Sequence, residues 1–316
     1  MHLGIDLGGT TCTFGLLDDN GQLSATSEIE TRQHDAPDVL LGRIAAAAKA
    51  LIAEGEGSAS VQSVGIGVPG PVKHKEGICV FAPNLQGWVN LPVGPILSER
   101  IGVPVHVLND ANAAALGEAR YGAGSGANDV LVVTLGTGIG SGLILDGHLH
   151  IGASERGAEI GHMTVDINDK RGSAGNVGTL ESMCGRDAIV WRALRALTWG
   201  RDSLLHELCP DLSKLTPRDI AIAAEQGDEI ATRVWFETAS YLAVGVVNVI
   251  FTADVSRVVL AGGVAQAGDV LLLPLRRAVA ARTSKLHFDV SQIVMATIGN
   301  RAGLIGAAQW AREQST

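Results

Sequence analysis

A chain of 316 residues is long for one hydrophobic core, and a prior of roughly 150 residues per domain points to two. Its composition, 46% apolar and 18% charged with 40 glycines, excludes a disordered chain and suits a well-packed α/β protein. A net charge of −9 with no basic block argues against nucleic acid as a partner, although backbone N–H groups can still bind an anionic phosphate ester locally.

In chain order, the first residues read as a β-meander: LGIDLGG, TFGLLD and a third strand near Leu23–Glu30. The opening strand starts at the beginning of the chain, so no signal peptide is expected. Residues 37–55 are Ala/Leu-rich with helical periodicity and stop at Gly55. Val61–Val68 is an apolar strand closed by Pro69-Gly70-Pro71. Val103–Leu108 is another, running into Asn109-Asp110, one of which caps a helix over Ala111–Tyr121.

After a glycine-rich joint at 122–129 the meander grammar restarts at Val130. Beyond a polar region at 154–186, helices are expected at 186–198 and 217–251, the second opened by Thr216-Pro217. Tyr241–Phe251, the most apolar stretch, is too short for a bilayer and includes Asn248, so no membrane partner is expected. Val258–Leu260 is a buried strand ending in Ala261-Gly262-Gly263, and Val294–Ile298 leads into a terminal helix, GNRAGLIGAAQWARE. Cys12, Cys79, Cys184 and Cys209 lie far apart, which fits a reducing, cytoplasmic compartment better than a disulfide framework.

Residues 4–18, GIDLGGTTCTFGLLD, and 131–147, LVVTLGTGIGSGLILDG, are one phrase written twice. Each is an apolar run, a Gly/Thr cluster, a second apolar run and an Asp before a turn, at Asp19-Asn20-Gly21 and Asp146-Gly147. Two architectures accommodate this: duplicated meander-plus-helix halves facing a cleft, or one large sheet whose hairpins share a grammar. The duplication implies an N-terminal small domain, 1–121 plus 300–316, and a C-terminal large domain, 122–299. Gly8-Gly9-Thr10-Thr11 and Gly136-Thr137-Gly138 would then offer backbone N–H groups to a polyphosphate from both sides. Either loop alone is equally an ordinary hairpin turn, and neither is a Walker loop. Asp110, where a strand ends and a helix opens, is placed either to cap that helix or to serve a site. Phosphoryl transfer to a hydroxyl needs a carboxylate within hydrogen-bond reach and little other covalent chemistry.

The phrases GIDLGGT, GVPGPV, LNDANAAALGE, TLGTGIGSGLILDG, GAEIGHM, VVLAGGV and GNRAGLIGAA occur in that order. Together they closely resemble the ROK family of sugar kinases, within the actin-like (hexokinase/Hsp70) superfamily, from about residue 3 to residue 310. The resemblance implies an α/β fold of two actin-like (ribonuclease H-like) domains flanking a cleft. It also implies ATP-dependent phosphorylation of a hexose, glucose first, at its 6-hydroxyl. Asp110 becomes the general base, with Gly67, Pro69, Asn84, Asn109, Glu159, His162 and Glu181 around the sugar; Trp88 is equally a packing residue. The nucleotide falls to Asp6, Gly8, Gly9, Thr10, Thr11, Thr137, Gly138, Gly262, Gly263 and Gly303, with Asp6 holding Mg²⁺ through water.

The same resemblance implies a homo-oligomer, dimer or tetramer. Family repressors carry an N-terminal DNA-binding module; here the phosphate-loop strand opens at residue 3, which favours the kinase branch. The rivals are kinases of N-acetylglucosamine, N-acetylmannosamine, mannose, fructose or allose, a non-catalytic sugar-binding regulator, and an ATPase acting on protein clients.

The chain departs from the family at two places. Many members carry a structural zinc on C-x-C-G-x-x-G-C-x-E plus the His of E-x-G-H. Here the cysteines are replaced by Gly172, Ala174 and Thr179, and one imidazole cannot make a tetrahedral site, so no zinc is expected. Thr11 stands where lysine or asparagine is frequent, which leaves polyphosphate open as an alternative donor to ATP.

Overall fold

The computed structural model describes residues 1–18, 21–54, 61–169, 171–172, 175–198, 200 and 202–315. Strands β1 (His2–Leu7), β2 (Thr11–Leu17) and β3 (Leu23–Glu30) form the meander read from the sequence, antiparallel throughout. Helix α1 (Pro37–Glu54) follows; its expected stop at Gly55, like Asp19 and Asn20 of the first turn, lies outside the described residues. β4 (Ser63–Val68) returns parallel to β1 with every residue buried.

A small antiparallel sheet of β5 (Val72–Lys73), β6 (Ile78–Phe81) and β7 (Val89–Leu91) comes next, then α2 (Val93–Ile101). β8 (Val105–Asn109) completes a five-stranded sheet in the order β3-β2-β1-β4-β8, and α3 (Asp110–Tyr121) starts without an intervening loop.

The second sheet repeats the plan. β9 (Val130–Leu135), β10 (Ile139–Leu145), β11 (His148–Leu149), β12 (Arg257–Ala261) and β13 (Ile293–Met295) lie in the order β11-β10-β9-β12-β13, with the same parallel and antiparallel pairings. This is the duplicated, actin-like arrangement, and two separate sheets exclude the single large one.

Helices α4 (Leu180–Cys184), α5 (Arg186–Leu197), α6 (Leu205–Leu208), α7 (Pro217–Glu225), α8 (Glu229–Ala253) and α9 (Asp269–Ala280) belong to this half, and most of them build its core. The helical region expected over 217–251 holds two helices, α7 and α8. Gly227 turns at φ +86°, and Asp228 caps α8 through the N–H of Ala231. α8, at 25 residues, is long and apolar enough to cross a membrane, so length does not exclude it as expected; its apolar window is mostly buried in the core.

α10 (Ala302–Gln314), preceded by a 3-10 turn, lies on the first sheet. A Cβ at Gly65 would strike the Ala307 carbonyl, and one at Gly306 would strike the Ala113 carbonyl. Bare backbone is what lets α10 approach both β4 and α3 so closely. α3 also covers β9 and β10, so Leu116, Val132 and Trp310 share one cluster between the two sheets.

Candidate active site

Two cavities meet where β8 gives way to α3. The first, about 500 Å³, is lined by Pro69, Asn84, Asn109, Asp110, Glu159, His162, Glu181 and the Gly136–Gly140 turn. The second, about 670 Å³, is lined by Asp6, Gly8, Asp110, Thr134, Gln266, Asn300 and Gly303, among others. Asp110, Ala111, Thr134 and Gly262 line both.

Local sequence dictates how Asp110 is held. Asn109 is the cap of α3: its Oδ1 accepts from the Asn112 N–H at 3.1 Å. Its Nδ2 donates to the Gly70 carbonyl at 3.0 Å and to Asp110 Oδ1 at 2.9 Å, and the Ala111 N–H reaches the same carboxyl oxygen at 2.9 Å. The capping ambiguity resolves in favour of Asn109, which frees Asp110 for the cavity. Burial raises the Asp110 carboxyl above the usual range, against the hydrogen bonds that lower it. A raised, oriented carboxylate is a competent proton acceptor near neutrality.

Asp6 stands on β1 beside Thr13 and Gly67 of the neighbouring strands. Its carboxylate abuts the first turn of α10, where a Cβ on Gly303 would come within 2.7 Å of Oδ2. A helix N-terminus favours negative charge. Desolvation nevertheless wins, with repulsion from Asp110 added, and the group is pushed up to about 6.

A raised carboxyl stabilises the fold in its protonated form, and that stability is lost as pH rises from the ordinary aspartate range through about 6. The ligand-free protein is therefore expected to lose about 3 kcal/mol from this group over that window. Urea denaturation across pH 4 to 7 checks it: Asp6→Asn should flatten the decline, and equal slopes in both proteins would refute it.

The opposite wall is built from the second half. Glu181 Oε2 accepts from the Ile139 N–H at 3.0 Å, and a Cβ at Gly138 would collide with that carboxylate. The second glycine turn and Glu181 thus form one unit. Thr179 fixes the start of α4 by accepting from the Ser182 N–H at 3.2 Å. Glu159 keeps an open face to solvent, yet the surrounding wall partly desolvates its carboxyl and raises it; His162 offsets this, while Asp110 and Glu181 add to it. His162 closes a 3-10 turn, with Nδ1 buried and without a partner.

The other residues expected at the site stand as follows in the fold. Asn109, expected on sugar hydroxyls, lines the first cavity while its amide holds Asp110 and the Gly70 carbonyl. Gly67 lies outside both linings, buried against Ala113 and the Asp110 backbone, where its missing side chain lets α3 start close to β4. Gly9, Thr10, Thr11 and Gly263 also lie outside both linings. The Gly8 N–H donates to the Thr11 carbonyl and the Gly136 N–H to the Gly138 carbonyl, both at 3.0 Å, so the first N–H of each loop closes its own turn. Thr137 and Gly138, expected on the nucleotide, line the first cavity, which meets the second at Thr134 and Gly262. Trp88 is 1% exposed and is plain core.

Thr134, Gln266 and Asn300 were not singled out from the sequence. Thr134 could have been: it occupies on β9 the register position that Asp6 occupies on β1. Aligning the two repeats residue by residue gives that correspondence.

Comparison with known proteins agrees with this architecture. The chain is 32% identical over 312 residues to the glucokinase of Thermotoga maritima, covering 99% of this chain and 97% of that protein. Among solved structures it is similar to a ROK family glucokinase from Streptomyces griseus in complex with glucose and AMPPNP, at 33% identity, TM-score 0.79 and 99% coverage of both chains. It is also similar to the ROK hexokinase from Thermus thermophilus, at 29% identity and TM-score 0.82, covering 99% of this chain and 98% of that one. The ROK family model itself matches residues 2–314. A match of that extent, on a fold wound twice in the same order, means that the chain belongs to the ROK family.

Proposed function

We propose that the protein is an ATP-dependent hexose kinase that phosphorylates the 6-hydroxyl of glucose, with Asp110 as general base. The observation that carries this reading is the position of Asp110 on the shared wall of the two cavities. A hexose in the first and a nucleotide in the second would bring acceptor hydroxyl and terminal phosphate together at that carboxylate. Glu159, His162 and Glu181 supply the acceptors and donors that adjacent hydroxyls require, and Asn84 and Pro69 complete the wall. Small residues at Gly262, Ala302 and Gly303 leave room for a flat base and ribose. The similarity to glucokinases over nearly the whole chain supports glucose as the acceptor.

Mg²⁺ fits the residues present, because a single partly buried carboxylate at Asp6 suits an ion that keeps most of its waters. When bound it would neutralise phosphate charge. The chain itself orients the hydroxyl, accepts its proton at Asp110 and walls the reacting groups from water.

Coupled ATP consumption over glucose, mannose, fructose, allose, N-acetylglucosamine and N-acetylmannosamine tests the proposal, with polyphosphate as a second donor. Turnover should require a sugar, and kcat/KM should be highest for glucose with ATP. Binding without turnover would point to a regulator, and sugar-independent hydrolysis to an ATPase; either result overturns the reading.

A further inference from the structure

The loop between His162 and Glu181 occupies the place of the family's zinc site, and its residues do not fit that metal. Among the described residues no group of three or more His, Cys, Asp or Glu could hold an ion. Thr179, in place of a cysteine, caps α4, and Ala174 lies outside the described residues. We propose that Arg171 and Trp191 form the clasp that sets Glu181 in place of a metal, which makes Arg171 a positioning residue for the hexose. This rests on the hexose-kinase reading.

Both ends of Arg171 are tied. Its carbonyl accepts from the Gly178 N–H at 2.7 Å and from Ser182 Oγ at 3.1 Å, one residue beyond Glu181. Its guanidinium is gripped by Asp169, with Nε at 2.9 Å and Nη2 at 2.5 Å from Oδ2. That grip orients the guanidinium over the Trp191 ring of α5, with Cζ 4.5 Å from the ring centroid. Arg195 also lies over this ring, at 5.0 Å, but belongs to α5 itself and spans no gap. At the His162 end, Asn176 Nδ2 donates to the His162 carbonyl at 3.3 Å, and the Leu180 N–H to the Met163 carbonyl at 2.9 Å. Tyr241 of α8 adds a bond to Asp166 at 3.3 Å.

The described residues of the loop are thus bonded to one another between two residues of the first cavity, and are fastened to α5 by the Arg171–Trp191 contact and to α8 by the Tyr241 hydrogen bond. Arg171, Trp191, Thr137 and Glu181 wall a chamber of about 340 Å³ that adjoins the first cavity through Thr137 and Glu181. Loosening the clasp frees Glu181 to shift at the wall that the two spaces share.

A partly exposed cation–π contact is a modest interaction, so the expected effect is kinetic. Arg171→Ala and Trp191→Leu should each raise the hexose KM roughly three- to tenfold, with kcat and the ATP KM unchanged. The double variant should do no more than the larger single one, and Trp191→Phe, which keeps an aromatic face, should restore the wild-type KM. Trp191 is 42% exposed, so its removal spares the core, and thermal melts verify the fold of each variant. Metal analysis of the purified wild type should give substoichiometric zinc. Unchanged hexose KM in both single variants, additive effects, or one zinc per chain would overturn the clasp. Hexose Kd by calorimetry reads the clasp without turnover. A wild type that binds hexose but never phosphorylates it refutes the kinase reading, whereas active variants with unaltered hexose affinity refute the clasp.

Discussion

Replacing Asp110 by asparagine is expected to lower hexose-dependent turnover roughly 10²–10⁴-fold while leaving the fold and hexose affinity nearly intact. The two bonds that orient this carboxyl, from Asn109 Nδ2 and the Ala111 N–H, both fall on Oδ1. An asparagine carbonyl accepts the same two bonds, so the side chain should keep its direction and its place in both cavities. What it loses is the oxygen that takes a proton, because an amide is not a base. The pH dependence carries the same sign. Burial raises the Asp110 carboxyl, so wild-type kcat/KM should fall as pH drops through a value above the ordinary aspartate range, and the residual activity of the variant should lack that limb. Stopped assays of sugar phosphate formation, paired with calorimetric hexose binding, decide it. A variant within threefold of wild-type turnover would remove Asp110 from the chemistry, and a lost hexose affinity would recast it as a binding residue.

The duplicated halves were legible because hairpin grammar is local: an apolar run, a glycine turn and a second run declare themselves within fifteen residues. Asp110 was legible for a similar reason, since strand end and helix start are adjacent in sequence. The division of labour between Asn109 and Asp110 was not, because it turns on the Gly70 carbonyl, which only the folded chain brings to the amide. The β5–β7 sheet was missed because strands of two to four residues give periodicity too little to repeat. That Thr137 and Gly138 line the first cavity is a placement that the symmetry of the two phrases does not give. The two loops are equivalent in their sheets, but Glu181 packs against the second and draws it to the first cavity.

Glu118 read as an ordinary helix residue in LNDANAAALGE, yet Glu118→Ala is expected to cost on the order of 3–5 kcal/mol of stability. The side chain is 0% exposed. Its Oε2 accepts from the Ala123 N–H at 3.0 Å and the Thr297 N–H at 3.2 Å, and its Oε1 from the Ile298 N–H at 2.8 Å. Ala123 lies where the chain leaves α3 for the second sheet, and Thr297 and Ile298 lie where it returns toward α10. One carboxylate therefore pins both crossovers, at the boundary that we propose between domains 1–121 plus 300–316 and 122–299. Alanine leaves three buried donors without partners, which is the expensive case for a hydrogen bond. Glutamine should be milder, near 1–2 kcal/mol, because an amide turned with its oxygen toward Ala123 and Thr297 opposes just one N–H with its own. Urea denaturation should rank the three proteins wild type, Gln, Ala. Because both crossovers move if the domains close on their ligands, the glutamine variant should also shift hexose KM and ATP KM together. If alanine is tolerated within 1 kcal/mol, the two crossovers are held by their own backbone and packing, and the carboxylate is incidental to the hinge.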